Sequence, residues 1–278
     1  MVKLYNEILG KEVDLPERPR RIVSFSPALT EGVYAIGRGE SLVGVSAFCS
    51  RPIQVREKRR VGSYNTVSYD LLDELRPDLI LAVTGYQRDF SLRLSERYPV
   101  YPLELPVSVA GIVDAVVKLG LITNAADDAR RVAADLLARL SLIKKRAEGP
   151  KVYVEIDLGG PVSFGSHSYI TDALHLLGTT TVYDEVRAEW LTPDFDAVTR
   201  ADPEVMIFEA KMFSHFSLDD LRAHLKERRW NELSCVKGGR CYLTPGPLDF
   251  LAHHGPSFVV EVMPWLQERL STSISVQK

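Results

Sequence analysis

Four features of the chain recur at one spacing. Tyr64 is followed six positions later by Asp70, and thirteen later by Pro77 and Asp78, before the apolar run Leu79–Val83. Trp190 is followed at the same intervals by Asp196, Pro203 and Glu204, before Val205–Phe208. Each pair is 126 residues apart, and agreement at a single offset points to an internal duplication. A large aromatic offers area to a planar guest at little entropic cost. Each aromatic falls in the loop before a helix. Each aspartate falls near a helix N-terminus, Asp70 after Ser68 and Asp196 after Thr192-Pro193-Asp194, where the helix dipole favours a negative charge. Ligand clefts form where loops leave the sheets of two facing α/β lobes. The duplication thus gives each half an aromatic for a cleft and a carboxylate displaced from it.

Other reactive side chains are less patterned. His167, His215, His253 and His254 fall in loops of the second half. An imidazole can hold a metal chelate or an oxyanion, but a surface or hydrogen-bonded role is the simpler one. The three cysteines, Cys49, Cys235 and Cys241, make no C-x-x-C. Cys235 and Cys241 could pair or remain as two thiols. No G-x-S-x-G, P-loop or H-E-x-x-H is present. Gly37–Leu42 lacks the third glycine of a dinucleotide fingerprint and precedes a strand instead of following one. Ser166 beside His167 does not make a triad. The residues therefore favour a binding protein over an enzyme. A metallo-enzyme would require His215, His253 and a carboxylate to converge on one ion. No metal site and no resident cofactor are expected.

The elements that must position these residues follow from the periodicity. Apolar runs at Ile22–Phe25, Leu42–Val45, Leu79–Val83, Val100–Pro102, Val152–Ile156, Val205–Phe208 and Cys241–Leu243 alternate with helical patterns such as Leu29–Ile36, Tyr69–Leu75 and Val109–Leu119. This alternation predicts an α/β fold with largely parallel sheets. One helix is expected from Asn124, a good N-cap, to about Ala147. It has Asp127 and Asp128 in its first turn, Lys144, Lys145 and Arg146 in its last, and Gly149-Pro150 as its stop. At 1.5 Å per residue it would be about 35 Å long, a stiff connector between lobes at 1–123 and 150–278, the connector itself spanning 124–149.

Composition narrows the function further. There are 34 Lys+Arg against 37 Asp+Glu, a formal net charge of −3, 45% hydrophobic and 26% charged residues. That is an ordinary globular composition without the basic excess of a nucleic-acid binder. The run Arg51, Arg56, Lys58, Arg59 and Arg60 is most simply a solvated loop. No segment approaches the roughly 18 apolar residues of a membrane span. The opening MVKLYNEILGKEVDLPERPRR has no apolar signal core, which leaves open a cytoplasmic protein or one whose signal is removed.

Several segments, in order across residues 18–270, resemble the substrate-binding proteins of ABC importers in the cobalamin and ferric-siderophore class. They are RIVSFSPALTEGVYAIG, VGVSAFCSRP, RVGSYNT, LLDELRPDLILA, the mid-chain helix, KVYVEI, DPEVMIF and WNELSCVKGGRCYLTPG. The resemblance implies two Rossmann-like α/β lobes joined by one long rigid helix. It implies a small-molecule ligand held between them, delivery to a permease dimer, action as a monomer, and a place outside the cytoplasmic membrane. The family's permease-docking acids fall on Asp70 and Asp196, where its members usually have the longer Glu. The cobalamin branch is the nearer one, through the F-C-x-x-P segment and the V-Y-V-E-I strand. Its ligand-enclosing aromatics fall on Phe48, Tyr64 and Trp190, with Tyr86 and Arg88 nearby in the first lobe and His253 at a polar contact position. Haem-binding relatives place an iron-ligating Tyr directly after a V-G pair; here Ser63 stands there and Tyr64 comes one residue late. Ferric-siderophore binders often line the cleft with arginines, where this chain has His253 and His254. A corrinoid is therefore the expected ligand, with a ferric siderophore or other metal chelate or oxyanion as the alternative. A cytoplasmic carrier of the same fold is a further alternative.

Overall fold

The computed structural model describes residues 1–271, the side chain of Tyr86 excepted. The chain divides into two compact units, Met1–Pro106 with Ala110–Ala138, and Val107–Val109 with Arg139–Lys278.

The first unit opens with a hairpin, β1 (Val2–Asn6) against β2 (Lys11–Leu15). Its core is a parallel sheet of β3 (Ile22–Ser24), β4 (Leu42–Ser46), β5 (Arg59–Gly62), β6 (Leu79–Val83) and β7 (Val100–Leu103) in the order β5-β4-β3-β6-β7. β3 and β6 are buried throughout, as apolar runs in a parallel sheet covered on both faces should be. Strand order reverses between β3 and β6, and such switch points in open α/β sheets are where ligands bind.

The second unit has its own sheet. β8 (Lys151–Asp157) pairs in parallel with β10 (Thr180–Thr181) and β11 (Val205–Glu209), and β12 (Cys241–Leu243) extends the sheet beyond β11. β9 (Pro161–Val162) folds back antiparallel on β8. Here the switch point lies between β8 and β11.

The duplication is structural. The helix Tyr69–Leu75 and the helix Phe195–Ala201 are each seven residues long and 126 positions apart, as are β6 and β11. Ser68 and Asp194 cap them at equivalent N-termini. Arg76 and Asp202 close them in the same left-handed conformation, φ 44 and φ 43. The turn into the following strand is also repeated. Asp78 accepts the Arg21 N–H at 2.9 Å and Glu204 accepts the Lys151 N–H at 3.1 Å, which ties each strand's entry to its central neighbour.

The seven expected strands all form, within two residues at their ends. β5 escapes the pattern because its sequence, R-R-V-G, carries one apolar residue, and β10 is only two residues long. The mid-chain helix differs more. It runs Ala126–Ser141, 16 residues and about 24 Å. Asn124 does not cap it; at φ 53 it takes the left-handed turn after the helix Val109–Ile122. Beyond Ser141 the backbone finds other partners: Lys144 N–H donates to Gln267 Oε1 at 2.9 Å and Arg146 N–H to the Leu177 carbonyl at 3.1 Å. The boundary between units falls inside this helix, after Ala138, and Val107–Val109 group with the second unit, where Val109 N–H reaches Asp172 Oδ2 at 2.8 Å. The chain thus passes between the units after Pro106, Val109 and Ala138.

Trp230 anchors the second core. It is 2% exposed and meets Tyr153 and Phe195 edge-on at 5.7 and 5.4 Å, and its indole N–H donates to Thr199 Oγ1 at 3.1 Å. Replacing so large a buried aromatic by alanine removes its transfer free energy and leaves a cavity. Trp230→Ala should lower the unfolding free energy of the second unit by about 3–5 kcal/mol in urea titrations; a loss below about 1 kcal/mol would contradict this packing role.

Candidate functional site

In the first unit the loops leaving β3, β4, β5 and β6 share the carboxyl edge of one parallel sheet. Buried Gln87 holds three of them. Its side-chain oxygen accepts the Val83 N–H at 3.0 Å, and its amide donates to the carbonyls of Phe25 at 3.0 Å and Tyr64 at 2.8 Å. All three are backbone groups at strand ends, where the ladder no longer satisfies them. Gln87 also closes the 3₁₀ turn Gly85–Gln87 that carries Tyr86; the Tyr86 side chain lies outside the described residues.

The Tyr64 loop is tightly built. Gly62 has φ 156, and a Cβ there would lie 2.0 Å from the Thr66 carbonyl oxygen. Only glycine lets that backbone approach. The Ser63 and Thr66 hydroxyls close the loop at 2.7 Å. Phe48, in the loop after β4, meets Tyr64 with ring centroids 5.4 Å apart and planes tilted by 50°. Both rings are half-buried. Arg60, expected in a solvated run, is exposed, and its guanidinium also donates to the Ser46 and Cys49 carbonyls at 3.1 and 2.8 Å and so fixes the Phe48 loop. Cys49 is buried beneath it, its thiol hydrogen-bonded by Thr30 at 3.1 Å and pushed up in pKa by burial. Phe48 and Tyr64 are thus brought together, and Arg88 is exposed.

In the second unit Trp190 is half-buried, next to an isolated bridge in which Ser163 and Leu191 exchange both backbone hydrogen bonds at 2.9 Å. His253 does not present its ring at the surface. It is 2% exposed, with Nδ1 3.4 Å from Asp249 Oδ2, so it belongs to the inside of its loop. His167 and His215 are exposed. Among the described residues no group of His, Cys, Asp and Glu is arranged to hold a metal ion.

Asp70 and Asp196 are both exposed, each in the first turn of its equivalent helix. Their neighbours are engaged: Asp73 with Arg97 and Tyr98, Glu74 with Arg59, and Asp194 with Arg200. Neither Asp70 nor Asp196 has an ion-pair partner among the described residues.

Sequence reasoning missed the buried acids of the second sheet. Glu155, 1% exposed, receives both guanidinium nitrogens of Arg228 at 2.5 and 2.8 Å and the Tyr153 hydroxyl at 2.6 Å. Arg228 also lies 4.0 Å over the Phe195 ring. Glu209, 2% exposed, accepts the backbone N–H groups of Phe250, Leu251 and Ala252, at 3.1 Å from the first and 3.2 Å from the last. It therefore clamps the loop that carries His253 and His254. The available signal was a glutamate inside each of the otherwise apolar runs V-Y-V-E-I and V-M-I-F-E.

The family model described as periplasmic binding protein matches residues 22–248. An ABC transporter substrate-binding lipoprotein of Bacillus subtilis, itself uncharacterized, is 23% identical over 95% of this chain and 83% of its own length. A vitamin B12-binding protein of Pectobacterium carotovorum is 23% identical over 68% of this chain and 71% of its own. Among solved structures, a possible iron-binding periplasmic solute-binding protein of Staphylococcus epidermidis superposes with a TM-score of 0.76 at 21% identity, covering 92% of this chain and 100% of that one.

The buried loop of the second unit has a pH signature. Burial raises the Glu209 carboxyl from 4.5 to about 7, and burial, with His253 beside it, lowers the His254 imidazole from 6.5 to about 3. The folded protein holds the Glu209 proton longer than the unfolded chain, so that contribution is present below pH 4.5 and is lost as pH rises through about 7. His254 works oppositely: its contribution is present above pH 6.5 and is lost as pH falls towards about 3. Between pH 4.5 and 6.5 the two slopes offset each other. Glu209→Gln should leave stability rising with pH across that window by about 1.4 kcal/mol per unit, and His254→Phe should leave it falling by a similar amount. Urea unfolding at pH 4.5, 5.5 and 6.5 reads both; parallel profiles in the two variants would refute the assignment.

Proposed function

The chain belongs to the periplasmic binding protein family, and we propose that it is the substrate-binding component of an ABC importer that captures a corrinoid. The reading is supported most by one observation. Two structurally equivalent helices, 126 residues apart, each present an exposed aspartate without an ion pair among the described residues, and each follows a loop with a half-buried aromatic, Tyr64 or Trp190. Family membership and the relatives with transport and B12-binding names favour the same assignment.

The division of labour follows from the chemistry. Phe48, Tyr64 and Trp190 are aromatics of the kind that suits a large planar ligand. Asp70 and Asp196 face solvent and suit arginines of a permease dimer, with which a carboxylate makes bidentate, charge-assisted hydrogen bonds. His253 serves the loop that Glu209 clamps and is not a ligand contact in this reading. The protein works as a monomer outside the cytoplasmic membrane. A ferric chelate is the alternative cargo, favoured by the fold shared with the possible iron-binding protein.

Calorimetric titration with cyanocobalamin, cobinamide and a ferric siderophore tests the ligand. One-to-one binding of a corrinoid is expected, and binding of the ferric siderophore alone would replace it with the alternative. Tyr64→Ala and Trp190→Ala should each weaken corrinoid binding by about tenfold. Asp70→Ala and Asp196→Ala should leave that affinity within about twofold, because rim charges contribute little, while abolishing stimulation of the transporter's ATPase in proteoliposomes. A large loss of affinity in either aspartate variant would move that residue into the pocket.

A further inference from the structure

We infer that a cavity at the carboxyl edge of the second sheet receives an uncharged, carboxamide-bearing arm of the ligand. The inference rests on the reading that a large chelate is the cargo, and it names the chemistry by which one end is recognised. The cavity has a volume of about 390 Å³ and lies wholly within the second unit. Glu155, Asp157, Phe208, Lys211, His224 and Arg228 line it. The strand ends of β8 and β11 supply the first four, at or just after the switch point. The helix Leu218–Glu227 and its cap supply the other two.

The charges in this wall balance. Two carboxylates, Glu155 and Asp157, face two cations, Lys211 and Arg228. The Arg228 charge is already directed at Glu155 through two hydrogen bonds. Asp157 uses Oδ1 to hold the Gly159 and Gly160 N–H groups at 2.8 and 3.0 Å. The Lys211 ammonium has no ion-pair partner among the described residues. His224 Nε2 is buried without a hydrogen-bond partner and lies 3.8 Å from Glu155 Oε1. A buried polar atom left unpaired is costly, and such atoms in native proteins call for a partner.

These features select among ligands. An anionic group entering the cavity meets Glu155 and Asp157; a cationic one meets Arg228 and Lys211. Like charges brought together in a partly desolvated site repel strongly. A primary carboxamide carries both a donor and an acceptor without net charge. It can donate to Asp157 and accept from Lys211 or His224. The Phe208 ring, stacked on Phe216 at 5.1 Å, gives its methylenes an apolar wall.

The test compares matched ligands that differ in charge. Cobinamide carries amide arms where cobyrinic acid carries carboxylates; a neutral ferric trihydroxamate and a trianionic ferric tricatecholate form a second pair. In calorimetric titrations the neutral member of whichever pair binds should be at least about tenfold tighter. Asp157→Asn keeps the oxygen that holds Gly159 and Gly160 and leaves the wall positive, so it should shrink the neutral-to-anionic ratio by about tenfold. Lys211→Met leaves the wall negative and should widen the ratio by a similar factor. A tighter anionic member, an unchanged ratio in both variants, or no binding by either pair overturns the inference. If only the siderophore pair binds, the corrinoid reading falls while the inference is judged on that pair's ratio. If both corrins bind equally well, the corrinoid reading stands and the inference falls.

Discussion

A parallel strand that ends at a sheet edge leaves backbone donors and acceptors without ladder partners, and buried groups of that kind must be satisfied. In this chain buried side chains satisfy them. Gln87 spends one acceptor and two donors on the ends of β6, β3 and the Tyr64 loop. Glu209 spends its carboxylate on three consecutive N–H groups of the loop after β12. Arg60, itself exposed, reaches in to do the same for the loop that carries Phe48. A functional loop held this way keeps its geometry without a ligand, which reduces the ordering cost of binding.

The two units meet this constraint with duplicated parts and divergent detail. The helix, its caps, the Pro-acid turn and the following strand are shared at one offset. The aromatic at the helix start is also shared. Tyr69 stacks on Tyr98 at 6.4 Å beneath Arg97, and Phe195 meets Trp230 at 5.4 Å beneath Arg228. Only the first of these clusters is open to solvent, Tyr69 being 45% exposed. In the second, the arginine is drawn inward by Glu155, so the same local motif becomes part of a cavity wall. A buried ion pair of this sort is a weak source of stability; its consequence here is a wall in which charges of both signs are fixed.

Much of the fold was legible in the sequence because its signals are local. Apolar runs such as L-I-L-A-V and V-M-I-F-E mark strands that are buried on both faces, and the repeat located the aromatics and aspartates. What was not legible depends on distant partners. The mid-chain helix ends at Ser141, three residues before its basic run, and Gln267, 123 residues away from Lys144, takes up the Lys144 N–H. Gln87 gives no local sign of the three loops that it joins. His253 stands in a loop of apparent polarity, yet Asp249 and the Glu209 clamp draw it inside. Arg60 is exposed, as its basic run implies, yet gives no local sign of the two carbonyls that it holds.

Gln87 joins the ends of β3 and β6 to the Tyr64 loop, so its loss should loosen these loops and weaken ligand binding. Calorimetric titration of Gln87→Met with cyanocobalamin tests it most directly, since methionine keeps the volume and removes all three hydrogen bonds. With folding verified by an unfolding curve, the variant should bind about tenfold more weakly than the parent protein. An unchanged dissociation constant in a folded variant would contradict it.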